Sequence, residues 1–231
     1  MKLSNRLLSL ASFITKNSIV ADIGTDHGFI PMYLIENNIS KHVIATDVSM
    51  GSLNKTISYI NDLEFIGKIE ARLGNGLEVI KPFEVDTVVI AGMGGLLIRD
   101  ILDKDINISN SVTNFVLQPM IAVKELREYL FSNHYKIVDE DLVKEDNKYY
   151  EIIYAKKGVD YIDKEIYFEI SKRIIDKKHP LLKEFINHKI AIASNILNNL
   201  EDKTSEKSKN RYEELTKLIK EYKEVLVIFE G

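Results

Sequence analysis

The sequence of 231 residues contains no cysteine and no long apolar run. Without thiols it can form neither a disulfide framework nor a thiolate metal site. A membrane-spanning helix needs ~20 consecutive apolar residues, which the chain does not have. Its five histidines show no metal-ligand spacing. These absences exclude a disulfide-stabilised scaffold and a helical membrane protein, and they predict no bound metal.

The chain as a whole also has no excess of positive charge. The formal net charge is -4 and the pI is near 5.8, which does not indicate nucleic-acid binding. The charge is uneven, however, since residues 1–155 hold 15 Lys and Arg against 21 Asp and Glu, and residues 156–231 hold 16 against 14. Surface charge mostly serves solvation, so this asymmetry is only a hint of an acidic partner.

The N-terminal segment has apolar residues at helical spacing rather than in one block. Polar residues interrupt it, so it is not typical of a signal peptide. The apolar positions are Leu3, Leu7, Leu10, Ala11 and Ile14. We therefore expect an amphipathic helix and a cytoplasmic protein.

Beyond this helix, apolar β-branched segments alternate with segments of helical period. Strands are predicted over 19–24, 42–47, 68–73, 85–91, 113–118, 135–143 and 149–156, and helices over 29–38, 50–65, 94–103 and 122–133. This alternation is typical of βαβ units and a parallel sheet. Polar residues 144–148 alone join the last two strands, which predicts a hairpin. The α/β pattern therefore favours a Rossmann-like class I methyltransferase, a mostly parallel sheet with an antiparallel last strand, over a dehydrogenase that would continue with another crossover.

Residues 160–231 show a different pattern, with apolar residues at helical spacing and no predicted strand. One helix face is predicted over 162–174, before Pro180, and apolar residues then recur at spacings of three and four over 186–200 and 212–229. A polar connection over 201–210 lies between the last two segments. This pattern predicts an antiparallel, coiled-coil-like helical hairpin, with packing on the main core as the alternative, above all for 160–178. The expected domains are 1–158, which binds the cofactor and carries catalysis, and 159–231, the helical hairpin.

The turn after the first strand, VADIGTDHG at 20–28, carries the most specific signal. Gly24 and Gly28 permit a tight turn and the close approach of a ligand. A turn built for pyrophosphate has a third glycine and offers bare N–H groups to an anion, whereas this turn contains Asp22 and Asp26. It suits a cationic or uncharged ligand such as S-adenosylmethionine, with its sulfonium and amino group. The alternative is an ordinary βα turn with surface acids.

Polar residues at the ends of the second and third strands extend this candidate site. Asp47 ends the second strand, 23 residues after Gly24, where a carboxylate can accept hydrogen bonds from both ribose hydroxyls. Asn75, between two glycines after the third strand, can both donate and accept toward an adenine edge. The alternative for Asn75 is a simple turn.

The fourth strand is followed by AGMGG at 91–95, three glycines in four residues at the start of a helix. Ligands of open α/β sheets bind at this edge. The Asp/Asn-Pro-Pro-aromatic motif of many amino methyltransferases is missing here, which argues against an ordinary exocyclic amine as the target. Gln118, at the end of the fifth strand, is a candidate for the same crevice.

These segments together resemble the bacterial TrmK family of tRNA methyltransferases, which modify N1 of adenine 22. The resemblance rests on ADIGTDHGFIP at 21–31, Asp47, GNGLEVI at 74–80, IAGMGG at 90–95 and LQP at 117–119. LSNRLLSLASFI at 3–14 and NKYYEIIYA at 147–155 fit as well, and the family carries a C-terminal helical hairpin. The resemblance covers nearly the whole chain, although Asn75 stands where the general methyltransferase pattern has Asp.

The resemblance implies an S-adenosylmethionine-dependent enzyme with tRNA as its partner. Adenine N1 has an in-plane lone pair that can attack a methyl group directly, so positioning supplies much of the acceleration. Methylation makes the ring positive and the N6 amino group acidic, and a carboxylate near N6 would stabilise that charge or take a proton. Asp26 is the catalytic candidate, since Asp22 lies earlier in the cofactor turn; His27 is a candidate to stack on or orient the base.

The remaining candidates follow from the same reading. The expected cofactor-binding residues are Asp22, Gly24, Thr25, His27, Gly28, Asp47, Val48, Asn75, Gly76, Ala91, Gly92 and Met93. The expected substrate-binding residues are Gly94, Gly95, Gln118, Lys183 and Lys189, and the hairpin cations expected to touch the tRNA backbone also include Lys203, Lys207, Lys209 and Arg211. We expect a monomer, although the sequence does not fix the oligomeric state.

Three other functions remain open from sequence. A small-molecule methyltransferase would bind the cofactor and ignore tRNA, and a non-catalytic methyltransferase-like RNA-binding protein would have lost activity. The intact acids Asp22, Asp26 and Asp47 speak against a decayed site. A dinucleotide oxidoreductase is disfavoured by the missing glycine and the final hairpin.

Overall fold

The computed structural model describes residues 3–62, 65–200 and 205–230. Seven strands form one sheet: β1 (Ser18–Ile23), β2 (Ser40–Asp47), β3 (Ile69–Leu73), β4 (Thr87–Met93), β5 (Asn114–Pro119), β6 (Tyr135–Glu145) and β7 (Lys148–Lys157). Six helices accompany them: α1 (Asn5–Ser12), α2 (Phe29–Glu36), α3 (Met50–Asp62), α4 (Gly95–Lys104), α5 (Ile106–Ser111) and α6 (Val123–Ser132). The C-terminal helices are α7 (Ile166–Glu169), α8 (Lys172–Asp176), α9 (Leu182–Asn198) and α10 (Glu206–Glu230).

The sheet has the order β3-β2-β1-β4-β5-β7-β6. Strands β1 to β5 pair in parallel, and β7 inserts antiparallel between β5 and β6. The predicted Rossmann-like methyltransferase fold, with its antiparallel last strand, is thus confirmed. Because the order reverses between β1 and β4, a crevice opens at the carboxyl ends of these strands.

Helices cover both faces of the sheet because successive strand residues point to opposite sides. Val20, Val89 and Val116 belong to one core cluster, with α1, α2 and α3. Ala21 and Phe115 belong to the other cluster, with α4 and α6. Near-continuous burial along the central strands is typical of a sheet covered on both faces.

A buried ionic triad ties the final hairpin to α6. Arg127 donates to Glu140 on β6 and to Glu151 on β7 at 2.8 and 2.6 Å. All three side chains are at most 5% exposed. Removing one member would strand a buried charge, which is strongly destabilising, so the triad fixes the hairpin edge of the sheet.

Three sequence expectations about local structure need correction. The single helix expected over 162–174 is two short helices, because the backbone is extended at Ile170 and Ser171 then caps α8, its hydroxyl accepting from Arg173 N and Ile174 N. Helix α5 was not expected at all. The polar connection expected over 201–210 is already helical from Glu206, and residues 201–204 lie outside the described part of the chain.

The chain forms two compact units, Met1–Tyr161 and Ile162–Gly231, whereas the sequence predicted a boundary at 158/159. In the second unit α9 and α10 pack together, and Lys183 near the start of α9 pairs with Glu230 at the end of α10 at 2.7 Å, so the two helices are antiparallel. Their coiled-coil character stays a prediction. The buried residues of these two helices are Leu182, Phe185, Ile186, Ala193, Leu215, Tyr222 and Val225.

Candidate functional site

A cavity of about 540 Å³ lies at the carboxyl-terminal edge of the parallel strands. Its lining comes from four strand ends and from α1, α2 and α4. Among the predicted residues it contains Asp22, Gly24, Thr25, Asp26, His27, Asp47, Val48, Asn75, Gly76, Ala91, Gly92 and Met93. The structure therefore brings together residues from four separate segments of the sequence.

The turn between β1 and α2 is held by backbone geometry that needs its glycines. Gly24 N and Thr25 N both donate to Thr46 O, at 2.9 and 2.8 Å, and Gly24 has φ +74°. Gly28 has φ +70°, and a Cβ there would lie 2.8 Å from Thr56 Cγ2. Gly28 does not line the cavity; it allows α2 to begin close to α3.

Asp47 presents a carboxylate that is held in place by the backbone. Its Oδ1 accepts from Ser49 N at 2.8 Å and its Oδ2 from Asp26 N at 3.2 Å. The residue is buried, yet it lines the cavity. A fixed carboxylate at the end of β2 is suited to accept hydrogen bonds from a ribose diol.

Asp22 is a second buried acid in the lining, only 5% exposed. Burial, with a smaller contribution from the nearby Asp47 carboxylate, raises its pKa to about 6. A buried carboxylate is costly in the ionised form unless a positive group approaches. This pair of acids therefore favours a ligand with positive charge.

Asp26 lies at the open side of the cavity, with its side chain 68% exposed. Its φ of +51° is in the left-handed region, which Asp tolerates better than most residues. His27 Nε2 lies 3.5 Å from Asp26 Oδ2, and the His27 ring stacks on Phe29 with centroids 5.2 Å apart. The carboxylate and an aromatic pair thus stand side by side, where a second molecule can reach them.

The turn after β4 is fixed by a side chain from β5. Gln118 Oε1 accepts from Gly92 N at 3.2 Å and from Arg6 Nη1 at 2.6 Å. Gln118 is completely buried and is not part of the cavity lining. It holds the turn from behind rather than facing the crevice.

Gly94 and Gly95, which we expected to bind substrate, also lie outside the lining. A Cβ at Gly95 would lie 2.1 Å from Ala122 O, and Gly95 N donates to Ile121 O at 2.8 Å. Glycine is needed there so that α4 can pack against the loop before α6. The glycines of this segment thus have two different roles: Gly92 lines the cavity, and Gly95 allows α4 to pack closely.

The predicted hairpin cations differ in whether they form ion pairs. Lys189 pairs with Glu169 at 3.4 Å and is 20% exposed, and Arg211 pairs with Glu214 at 3.0 Å. Lys183 pairs with Glu230, as described above. Lys207 and Lys209 form no ion pair with any described residue, and Lys203 falls in the segment that the structure does not describe.

The sequence reasoning missed part of the lining, above all Arg6, which reaches the cavity from α1. Its place on the polar side of an amphipathic helix was visible from sequence, but the strand end that it reaches was not. The other missed residues are Leu7, Ile23, Phe29, Ile30, Gly74, Leu97 and Ile101. Most are apolar, so only tertiary packing marks them.

Within the described ranges no group of three or more His, Cys, Asp or Glu side chains could hold a metal ion. Nor does any helix there combine the length and apolarity needed to cross a bilayer. The donor set of the cavity instead fits an adenosine with a positively charged tail. It offers a carboxylate for the ribose, an amide beside Gly76 for a base edge, and a buried acid for a cation.

Comparison with known proteins agrees with this geometry. The methyltransferase domain family matches residues 3–153. The tRNA (adenine(22)-N(1))-methyltransferase of Bacillus subtilis (strain 168) is 36% identical over 158 residues. That alignment covers 68% of this chain and 66% of the B. subtilis protein, so the match spans about two thirds of that relative.

Solved structures extend the similarity to almost the full length. The B. subtilis m1A22 tRNA methyltransferase TrmK superposes with a TM-score of 0.87 at 30% identity, covering 97% of this chain and 98% of that one. M. capricolum TrmK, solved with S-adenosyl-homocysteine, gives 0.86 at 29% identity and covers 99% and 100%. The similarity therefore includes the C-terminal helices as well as the sheet.

Proposed function

The chain belongs to the methyltransferase domain family and, within it, to the TrmK family, and on that premise we propose that it methylates N1 of adenine 22 in tRNA. The observation that carries the proposal is the cavity itself. It places the fixed carboxylate of Asp47, the buried acid Asp22 and the exposed acid Asp26 around one space. A tRNA substrate also implies a cytoplasmic enzyme.

Four groups of the cavity hold the cofactor in this proposal. Asp47 accepts from the ribose hydroxyls, and Asn75 with Gly76 contacts the adenine. Asp22 faces the positive charge of the methionine part, and the turn at Gly24 lets the ligand approach the backbone. S-adenosylmethionine, when bound, supplies an electrophilic methyl group on its sulfonium.

Asp26 is the residue we assign to the chemistry. Methylation of N1 leaves the adenine ring positive and makes the N6 amino group more acidic. A carboxylate beside N6 stabilises that charge or accepts the proton. Asp26 can serve because it lines the cavity while most of its side chain stays accessible to an incoming base.

The aromatic pair of His27 and Phe29 gives the incoming base a surface to stack on. Adenine 22 lies within a folded tRNA, so reaching the cavity requires flipping it out at a cost of a few kcal/mol. Stacking on an aromatic ring contributes ~1–3 kcal/mol per base, which is enough to offset much of that cost. The rings of the pair are nearly parallel, with an interplanar angle of 15°.

Contacts to the tRNA backbone come from the C-terminal unit in this proposal. Cations that neutralise phosphates supply affinity that falls with salt. Lys207 and Lys209 are exposed and have no ion-pair partner among the described residues. They are therefore better placed to meet phosphates than Lys183 or Lys189, whose charges are paired.

Mass spectrometry of the modified RNA tests the proposal. The purified protein is incubated with S-adenosylmethionine and unmodified tRNA, and the RNA is digested and mapped. We expect N1-methyladenosine at position 22 and none in a matched tRNA that carries guanine there. Cofactor binding without any tRNA product would contradict the proposal and favour a small-molecule methyltransferase.

A further inference from the structure

A group of exposed apolar side chains lies beside the cavity. It consists of Leu96 and Leu97 on the first turn of α4 and of Met120 and Ile121 in the loop between β5 and α6. We call these four residues the apolar rim. Leu97 lines the cavity and the other three do not, so the rim extends from the cavity wall to the open surface. A single exposed apolar side chain is ordinary, but a contiguous group next to a binding cavity marks an interaction surface.

Ile121 is the most exposed residue of the apolar rim, with 71% of its surface accessible. A Cβ at Gly94 would lie 3.5 Å from Ile121 Cγ1, so this side chain stands over the turn whose Gly92 and Met93 line the cavity. The sulfur of Met120, by contrast, accepts from Gln118 Nε2 at 3.5 Å. Ile121 is therefore the rim residue that is best placed to enter another molecule beside the cavity.

The backbone around Ile121 is fixed on both sides. Met120 N donates to Met93 O and Gly95 N donates to Ile121 O, both at 2.8 Å. Ala122 has φ +56°, in the left-handed region, which is uncommon for a residue other than glycine and is maintained by the surrounding structure, often at functional sites. A fixed loop thus holds an isoleucine out in solvent, which is suited to an apolar partner that arrives with the substrate.

The tRNA offers such a partner when adenine 22 leaves its base stack. The faces of the neighbouring bases then lose their stacking contact. Proteins that unstack bases frequently insert an apolar side chain, such as isoleucine or methionine, at that step. Ile121 lies next to the cavity that takes the base, and so next to the place in the stack that the base leaves.

We propose that Ile121 is a wedge that enters the tRNA base stack and fills the place that the flipped adenine 22 leaves. The inference rests on the proposed function, since it assumes this substrate. The wedge stabilises the flipped state by replacing the lost stacking contact. It does not act through the cofactor, because Ile121 lies outside the cavity lining.

Three substitutions test the wedge. Ile121→Ala removes most of the side chain, whereas Ile121→Leu keeps its volume and its apolar character. Ile66→Ala is the matched control, because Ile66 is 74% exposed and precedes β3, at the edge of the sheet opposite the cavity. Thermal melts and calorimetry with S-adenosylmethionine should show that all three variants fold and bind the cofactor like the parent protein.

Methylation rates on two tRNA substrates separate flipping from docking. With unmodified tRNA, Ile121→Ala should lower kcat/KM by about 5- to 100-fold, the loss expected when one stacking contact is removed. With a tRNA whose nucleotide facing adenine 22 is abasic, flipping costs less, and the loss should be below about threefold. Ile121→Leu and Ile66→Ala should stay within about twofold of the parent protein on both substrates.

Fluorescence of 2-aminopurine placed at position 22 of the tRNA reports flipping without the chemical step. Binding of the parent protein should raise the fluorescence, because the base leaves its stacked neighbours. Ile121→Ala should give a smaller rise at saturating protein, and Ile66→Ala should give the full rise.

Every other result overturns the inference or its premise. An unchanged kcat/KM in Ile121→Ala removes the wedge, and an equal loss on both tRNA substrates assigns Ile121 to docking of the tRNA. Weaker cofactor binding or a lower melting temperature shows that the loop only supports the cavity. A parent protein that sediments as a dimer and becomes monomeric in Ile121→Ala assigns the apolar rim to a second copy of the chain. A parent protein that forms no N1-methyladenosine at position 22 instead overturns the proposed function.

Discussion

The cavity of the first unit and the helices of the second hold their charged side chains in opposite ways. Around the cavity, Asp47 is fixed by two backbone N–H groups and Arg6 by a neutral amide. In the second unit, Lys183 and Lys189 are each paired with a carboxylate. Charges fixed by neutral partners stay available to a ligand, whereas paired charges are largely cancelled.

This difference shows why the charge count of a segment is a poor guide to its partner. The C-terminal part is the more basic one by sequence, yet its long helix α10 contains ion pairs between residues three or four positions apart. Exposed pairs of this kind add little stability. They do reduce the free positive charge of α10, whereas Lys207, Lys209 and Lys223 are exposed and have no ion-pair partner among the described residues.

The largest effect should come from removing the exposed carboxylate of the cavity. Asp26→Asn should lower kcat by ~10²- to 10⁴-fold, the usual range for acid–base or charge stabilisation, while the Kd for S-adenosylmethionine changes less than about twofold. Asn tolerates the left-handed backbone at this position, so the fold should persist. Single-turnover methylation measures the rate.

Asp146→Asn is the matched control, because Asp146 is exposed and also has a positive φ, of 47°, but lies in the β6–β7 turn. An Asp26→Asn enzyme as fast as this control would remove Asp26 from the chemistry. The cavity would then act on the base through stacking and position alone.

A second, smaller effect concerns the buried acid. The pKa of Asp22 is raised from 3.8 to about 6 by burial, so the folded state holds its proton more tightly than the unfolded state. The cost of ionising it is absent below about pH 4 and complete above about pH 6. Asp22→Asn should therefore stabilise the free protein at pH 7.5 by about 1–3 kcal/mol, and weaken binding of S-adenosylmethionine.

Urea unfolding at pH 7.5 and pH 4 measures this difference, and the gain should disappear at the lower pH. The parent protein and the variant are each compared at the two pH values, and their other carboxyl groups titrate in the same way in both proteins. An Asn variant that is no more stable at pH 7.5, or equally stabilised at both pH values, would show that Asp22 carries no ionisation cost in the free enzyme.

The smallest effect should come from the helical unit. Lys207→Gln with Lys209→Gln should lower tRNA affinity by about 3- to 10-fold at low salt and reduce the slope of log affinity against log salt by about 1–2. The control pair Lys217→Gln with Lys220→Gln removes cations that face Glu221 and Glu224, and it should have less effect. Filter binding at several salt concentrations gives both quantities.

Equal losses in the two double variants would mean that the helix attracts tRNA by overall charge rather than through its unpaired cations. No loss in either would place the tRNA-binding surface elsewhere. In both cases the contrast between free and paired charges would need another explanation.

Much of the fold was predictable because its signals are local. Alternating apolar segments gave the parallel strands, and the polar 144–148 connection gave the final hairpin. Helix α5 and the break at Ile170 were missed, since the break depends on the capping hydroxyl of Ser171 in the folded chain. A run of isoleucines at helical spacing does not reveal such a competing cap.

The sequence by itself determined the edge of the sheet at which the site forms. Glycines and acids at strand ends are local features, and the carboxyl ends of parallel strands must meet. Tertiary structure alone decided which side chains face the cavity. Arg6 and Gln118, which are joined by a hydrogen bond, lie 112 residues apart in the sequence. Gln118 lies behind Gly92, outside the cavity, and Lys189 is paired with Glu169. Such partners are chosen by packing, because the energy of a charged side chain depends on neighbours that the local sequence does not contain.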